Sequence, residues 1–106
     1  MNLYESLKPV KTENGFKMEG YYVWGASVIK GDDGKYYMFA SRWKKDLPFP
    51  AGYMTGSEIV LATSDNVEGP YEFQKVVISA REGGFFDSAM AHNPHIKKVG
   101  SQYVLF

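Results

Sequence analysis

The sequence predicts an all-β chain of antiparallel strands, and its clearest element is a hairpin near the amino end. Residues 24–30 and 35–41 each carry large or β-branched side chains on both alternating faces. This pattern is typical of strands that are covered on both sides. Between them, Gly31-Asp32-Asp33-Gly34 has hairpin turn chemistry, because Asp-Gly is favoured where φ is positive.

A second observation is that this hairpin pattern returns at the carboxyl end. Residues 92–106 align without a gap on residues 25–39, so the repeat has a period of roughly 67 residues. Such a period is long for most solenoid repeats but suits a propeller blade with long loops. The sequence therefore predicts about one and a half antiparallel β-propeller blades.

The elements follow in three parts. We assign residues 1–20 to a polar lead-in arm that packs across the first strands, 21–78 to a first four-stranded blade, and 79–106 to a loop and the first hairpin of a second, incomplete blade. Within the first blade the predicted strands are at about 22–30, 35–42, 57–64 and 71–78. The fourth alternates polar and apolar residues, as a half-exposed outer strand does.

Two long connections interrupt the strands, and antiparallel alternation places both at one end of the blade. Prolines and glycines in 43–56 predict a loop without regular structure, and 79–91 is a second long loop. We call this end the long-loop end and the opposite one, with turns 31–34 and 65–69, the short-turn end. Long irregular loops at one end predict a functional site there.

Composition excludes several classes of function. Lysine plus arginine number 12, as do aspartate plus glutamate, so no net field attracts nucleic acid or an anionic membrane. The absence of cysteine excludes disulfides and thiolate metal sites and leaves the compartment open. No apolar run has the length of a membrane span and the amino end lacks a signal-peptide core, which predicts a soluble chain. No motif for a phosphate, dinucleotide or other cofactor is present, and no metal site is expected.

The residues resemble a known family at three places: Asp-Gly-Lys-Tyr-Tyr in the first hairpin, Ser-Glu-Ile-Val-Leu-Ala-Thr-Ser-Asp at 57–65, and Glu-Gly-Pro-Tyr at 68–71. Together they are similar to one blade of a five-bladed propeller glycoside hydrolase of family 43. The resemblance covers residues 22–106. It implies glycosidic bond hydrolysis with inversion, by two or three carboxylates at the propeller axis. It also implies that this chain is an amino-terminal fragment of such an enzyme, inactive alone.

The chain departs from the family pattern where the catalytic base is expected. The resemblance places Asn93-Pro94 where the family often has Asp-Pro, and Ala26 at the same position of the first blade. An amide cannot act as a base at neutral pH. Glu68 matches the Glu-Gly-Pro of some members, but it lies in a tight turn at the short-turn end, and we interpret it as a turn residue.

Asp87 is the best candidate for a catalytic carboxylate. It follows Phe85-Phe86 in a long loop, and aromatic neighbours are expected to desolvate it and raise its pKa. The alternative, a loop Asp that caps a turn through its own backbone, is the commoner role. The remaining carboxylates at this end are Asp46, Glu58 and Glu82; we expect Asp46 to be solvated and Glu58 to lie at the rim or pair with Arg42.

Five residues are candidates for substrate binding: Trp43, Arg42, Glu58, His92 and Asn93. Arg42 and Trp43, with Trp24, would form a stacking and bidentate platform for a sugar. The alternative for Trp24 is a place between blades, and for the histidines a structural role in blade packing. His92 and His95 face opposite sides of a strand start, so chelation of a metal by both is not expected.

Two functions follow from this sequence. The first is part of a glycoside hydrolase that acts on a glycan by acid/base hydrolysis; the second is a non-catalytic carbohydrate-binding or protein-interaction propeller, which Asn93 favours. The expected partner is carbohydrate. A strand edge that nothing covers at Gln102–Phe106 also predicts self-association of the chain.

Overall fold

The computed structural model describes residues 2–81 and 83–106, and within them it shows a four-stranded and a two-stranded antiparallel sheet. The larger sheet has the order β1-β2-β3-β4 and the smaller pairs β5 with β6. Their bounds are β1 Tyr21–Lys30, β2 Tyr36–Lys44, β3 Glu58–Ser64, β4 Glu72–Ile78, β5 Ile96–Val99 and β6 Gln102–Leu105. The predicted all-β antiparallel class and the four strands are confirmed, and the arrangement is that of propeller blade pieces.

The first hairpin forms where the turn chemistry predicts it. Lys30 pairs with Tyr36 at its tip, Gly34 has φ 84°, and Asp33 Oδ1 accepts a hydrogen bond from the Lys35 amide. A register shift interrupts β1 between Trp24 and Ser27.

Burial follows position in the sheet. The core side chains lie on β2 and β3, with Ala40, Trp43, Val60 and Ala62 at most 2% exposed. Every residue of β4 is exposed and none of β1 is fully buried, so the expectation that the first strand is covered on both sides is wrong. In the strand order β1 and β4 are the edge strands, whereas β2 and β3 have a strand on either side.

The first long loop contains more regular structure than predicted. β2 continues to Lys44, and a single helical turn, α2, covers Tyr53–Gly56. The expectation of a loop without regular structure over 43–56 is therefore wrong at both ends. Pro48 and Pro50 exclude regular hydrogen bonding only around themselves, and the residues after them are free to form a turn.

The lead-in arm contains a short helix, α1 (Leu3–Ser6), and a 3₁₀ turn at Thr12–Asn14. The Lys8 ammonium pairs with Glu68 at 2.9 Å, and the Lys45 amide donates to Gly20 O at 2.9 Å. The arm therefore contacts the short-turn end and then reaches the long-loop end where β1 begins. No helix in the described part of the chain is long and apolar enough to cross a membrane.

A segment that we call the crossing segment, Ala91–Ile96, joins the two sheets. It is held by three serines, one directly before β3, one in β2 and one in β1: the Ala91 amide donates to Ser57 O (2.9 Å), the Asn93 amide to Ser41 Oγ (2.8 Å) and the Ile96 amide to Ser27 Oγ (3.2 Å). Ser41 and Ser57 are fully buried. The segment thus runs from the start of β3 over β2 to β1, where the second hairpin begins.

Candidate functional site

The long-loop end carries a cluster of aromatic rings around Trp43. Phe49 stacks on the Trp43 indole with centroids 5.8 Å apart, Tyr53 lies at 6.2 Å and the His92 ring at 5.7 Å. Tyr22 contacts both Trp43 and Phe49. We call this set, completed by Trp24 against Phe49 at 6.2 Å, the aromatic cluster. Four parts of the chain supply it: the start of β1, the end of β2, the 43–56 connection and the crossing segment.

Exposure divides the aromatic cluster into a floor and a rim. Trp43 is 2% exposed, whereas Trp24 is 57% and Phe49 52% exposed. The Trp43 Nε1–H is buried and has no hydrogen-bond partner among the described residues. A buried donor without an acceptor is costly, and exposed aromatic faces beside it are typical of a ligand site.

His92 belongs to this cluster and Asn93 lies beside it, both on the crossing segment. The half-buried His92 ring stacks on Tyr53 with centroids 4.9 Å apart, and its Nδ1 is 2.8 Å from Ser57 Oγ. Burial lowers the pKa of His92. Asn93 is exposed, with φ 54°. A Cβ on Gly25 would lie 2.6 Å from Asn93 Oδ1, so the side-chain amide of Asn93 occupies space that only glycine at position 25 leaves open.

Arg42 and Glu58 lie on the other face of the sheet. The Arg42 Nε donates to Glu58 Oε1 at 2.7 Å, and its guanidinium lies 4.1 Å from the Tyr21 ring centroid. Successive residues of a strand face opposite sides, so Arg42 cannot join Trp43. The expected platform of Trp24, Arg42 and Trp43 is therefore wrong: Trp43 is buried, Arg42 is ion-paired behind it, and Trp24 is instead at the exposed rim. The pairing expected for Glu58 is confirmed.

Asp87 is held by an arginine that follows β4. The Arg81 Nε lies 2.9 and 2.8 Å from the two Asp87 carboxylate oxygens, and the Arg81 amide donates to Asp87 O. The same guanidinium lies 4.5 Å from the Phe85 ring centroid. The Arg81 hydrogen bond lowers the pKa of Asp87. The expectation of a raised pKa is therefore wrong, because Phe85 stacks on the arginine that neutralises the carboxylate instead of desolvating it.

Strand pairing places the connections at the ends predicted for them. Tyr22 pairs with Trp43 and Ile59 with Ile78, so both long loops leave the sheet at one end. Lys30 with Tyr36 and Thr63 with Glu72 close the other end. Asp46 is exposed at the long-loop end. Glu82, the remaining carboxylate considered there, lies outside the described residues.

Sequence reasoning did not identify Phe49, Tyr53 or Ser57 as parts of this site. Phe49 had a usable signal, an aromatic residue between two prolines in a long loop. Tyr53 and Ser57 had none, because their roles depend on the crossing segment, which is distant in sequence. Among the described residues no group of three or more His, Cys, Asp and Glu side chains is placed to hold a metal ion.

The fold and this end of the sheet define an antiparallel β chain with an aromatic candidate binding site. Comparison with curated proteins finds a relative, the extracellular endo-alpha-(1->5)-L-arabinanase 2 of Bacillus subtilis (strain 168), 34% identical over 83 residues. The match covers 77% of this chain, and the chain spans 15% of that enzyme's length. No family model and no solved structure matches the chain. The similarity supports, over that segment, the resemblance to glycoside hydrolases.

Proposed function

We propose that this chain is part of a carbohydrate-active β-propeller related to glycoside hydrolases, and that its long-loop end binds a glycan. The observation that carries the proposal is the aromatic cluster, in which Trp24 and Phe49 are exposed at the rim above the buried Trp43. Aromatic faces supply large rigid contact area, and a few N–H donors among them fix the orientation of a polar ligand. The similarity to an arabinanase supports arabinan-type glycans as first ligands to test.

The proposed role of Asp87 is that of an ionised carboxylate, and Glu58 serves as an ion-pair partner. An inverting hydrolase needs one carboxyl group that holds a proton and a second, about 6.5–9.5 Å away, that activates water. Asp87 has a lowered pKa and both oxygens on Arg81, and Glu58 is bonded to Arg42 on the other face. Hydrolysis is therefore proposed for the whole protein, with no useful activity in these 106 residues.

Binding is tested by titrating the chain with linear α-1,5-linked arabino-oligosaccharides, followed by calorimetry and tryptophan fluorescence. Trp24→Ala and Phe49→Ala should each weaken binding at least about tenfold, because each removes an aromatic face that contacts the ligand. Tyr103→Ala removes an aromatic side chain of similar exposure, 41%, from the second hairpin and should leave affinity unchanged. Equal affinity of the Trp24 and Tyr103 variants would contradict the proposal.

A second function, non-catalytic carbohydrate binding, is favoured by Asn93, an exposed amide where the resembled family often has an acid. Activity separates the two functions. A full-length parent that cleaves arabinan, and loses cleavage with Asp87→Asn, would establish hydrolysis through Asp87. A parent that binds arabinan without cleaving it would establish the second function. Turnover by the 106-residue chain, abolished by Asp87→Asn, would contradict our assignment of the ion pairs.

A further inference from the structure

We propose that Ser57 is a positioning residue that holds His92 as the neutral tautomer with its proton on Nε2, so that His92 is a hydrogen-bond donor for the glycan. Only the identity of the ligand rests on the proposed function. The tautomer is a property of the chain itself and is measured without any ligand.

The hydrogen bond between the two side chains has one direction that satisfies both. Ser57 is fully buried, and its Oγ lies 2.8 Å from His92 Nδ1. A serine hydroxyl has one proton to donate, and among residues 2–81 and 83–106 Nδ1 is its one acceptor. The reverse arrangement, with Nδ1–H donating, leaves a buried hydroxyl proton unsatisfied. The serine therefore donates, Nδ1 accepts and the imidazole proton resides on Nε2.

The surrounding contacts keep the ring in this orientation. The Ala91 amide donates to Ser57 O at 2.9 Å, so the backbone beside His92 is tied to the same serine. On the other side of His92, the Asn93 amide donates to Ser41 Oγ at 2.8 Å. The ring itself stacks on Tyr53 at an interplanar angle of 29°. With the backbone fixed on both sides and a ring against it, the imidazole has no free rotation about its side-chain bonds.

The environment also favours the uncharged form. Among the described residues, the ring has aromatic contacts with Trp43 and Tyr53 and a hydrogen bond with Ser57, and Tyr53 is the titratable one of the three. Burial lowers the pKa of His92, with no contribution from a charged neighbour within the described residues. Protonation of Nδ1 would in addition remove the acceptor of the Ser57 hydroxyl. Both effects act in the same direction, and His92 stays neutral near pH 7.

This tautomer decides what His92 can do. Its Nε2–H has no protein acceptor within the described part of the chain, and it lies in the aromatic cluster with the buried Trp43 Nε1–H. The Nε2–H can therefore donate to a hydroxyl or ring oxygen of a sugar, whereas the buried Trp43 Nε1–H is out of reach of a ligand. A general base would need an accessible lone pair, and the lone pair of His92 is on Nδ1, occupied by Ser57. His92 is thus a donor to the ligand and not a base.

Long-range proton–nitrogen NMR of the unmodified chain near pH 7 tests the tautomer directly. The chain has two histidines, so the exposed His95 serves as an internal reference. We expect His92 to show an unprotonated Nδ1 and a protonated Nε2. A protonated Nδ1, or rapid averaging of the two tautomers, would overturn the inference whatever the variants do.

Variants then test whether Ser57 is the cause. In Ser57→Ala the neutral ring loses its donor, so the pKa of His92 should rise by about half to one pH unit and the tautomers should mix. Ser57→Thr keeps the hydroxyl and should retain the Nε2–H form. Ser27→Ala removes a hydroxyl that holds the far end of the crossing segment, at Ile96, and should leave the His92 tautomer and pKa unchanged. A folded Ser57→Ala with unaltered His92 would refute the role of Ser57.

Ligand titration separates this inference from the proposed function. If arabino-oligosaccharides bind, the Nε2–H resonance should shift on binding in the unmodified chain. Binding that leaves this resonance unmoved would refute the donor role of His92. If the tautomer is as expected and none of these sugars binds, the ligand is wrong while the positioning of His92 by Ser57 stands.

Discussion

The first hairpin, β1–β2, and the second, β5–β6, differ in turn length and in what lies beside them. The first closes with Lys30 paired to Tyr36, and β3 pairs with the far side of β2. The second has strands of four residues, closes with Val99 paired to Gln102, and has no strand on the far side of β6 among the described residues.

A cross-strand contact recurs in both hairpins but at a shifted position. The Lys30 ammonium lies 5.7 Å from the Tyr36 ring centroid, and that of Lys98 lies 5.3 Å from the Tyr103 centroid. Each lysine is the direct cross-strand partner of its tyrosine. The gapless sequence alignment instead matches Lys30 with Lys97. The cross-strand contacts match Lys30 with Lys98, so the second turn is one residue shorter than the first. Turn length therefore fixes the register, and the hydrophobic repeat alone does not.

The largest expected effect concerns the far edge of β6, beside which the described residues place no strand. His95 and Phe106 exchange both backbone hydrogen bonds, so by alternation the N–H and C=O groups of Tyr103 and Leu105 point away from β5. Such an edge pairs with another copy of the chain. We predict a dimer or larger species at micromolar concentration, about 8 kcal/mol of association free energy, by light scattering or sedimentation.

One substitution pair locates that contact. Tyr103→Pro removes the outward N–H without breaking a bond to β5 and should give a monomer. Tyr103→Ala removes the same ring but keeps the N–H and should still associate. A monomeric unmodified chain with a cooperative thermal transition would show that the edge is covered within one copy.

The two hairpins should also differ in how much each contributes to the free energy of unfolding. Trp43→Ala empties the floor of the aromatic cluster and should lower the free energy of unfolding by about 3–5 kcal/mol. Ile96→Ala, at 6% exposure in the smaller sheet, should cost about 2 kcal/mol. Urea unfolding followed by far-UV circular dichroism measures both, and Trp43→Phe gives an intermediate value if Trp43→Ala does not fold. An equal loss for Trp43→Ala and Ile96→Ala would show that both hairpins belong to one cooperative unit.

Sequence reasoning succeeded where structure is determined locally. The first hairpin, the four strands and the ends of their connections follow from period-two patterns and from turn residues such as Gly34. It failed where distant segments meet. The Asp87–Arg81 pair depends on the path of a long loop. The burial of Trp43 depends on Phe49 and Tyr53, and the tautomer of His92 depends on Ser57. None of these contacts leaves a local pattern.

A smaller effect is expected at the two turn glycines. Gly34 and Gly100 have φ of 84° and 60°, and at both a Cβ would meet open space. Substitution by alanine therefore costs only backbone strain, about 1–2 kcal/mol at each position. Gly34→Ala should lower the global unfolding midpoint, whereas Gly100→Ala should raise amide exchange in β5 and β6 alone. Asparagine, which tolerates this conformation, should restore part of the loss at both sites. Global destabilisation by Gly100→Ala would show that the turn of the second hairpin unfolds together with the first sheet.

The smallest effect lies at the contact between the hairpins, where Asp32 of the first turn pairs with Lys98 of β5. Hydrogen bonds from Lys98 and then Tyr103 lower the pKa of Asp32 below its ordinary 3.8. A lowered carboxyl pKa means that the contact is fully formed above 3.8 and is lost as the pH falls through the folded-state pKa. Both side chains are largely exposed, so the stability change should be slight.

Amide chemical shifts of Lys98 and Tyr103 report this titration, with an expected midpoint below 3.8. Asp32→Asn should abolish it. Asp33→Asn is the matched control, because the Asp33 carboxylate of the same turn accepts a hydrogen bond from Tyr37 within the first hairpin, at 2.6 Å. If Asp33→Asn removed the titration and Asp32→Asn did not, the second hairpin would contact the first through Asp33. The one-residue shift that places Lys98 opposite Tyr103 would then not explain how the two hairpins contact each other.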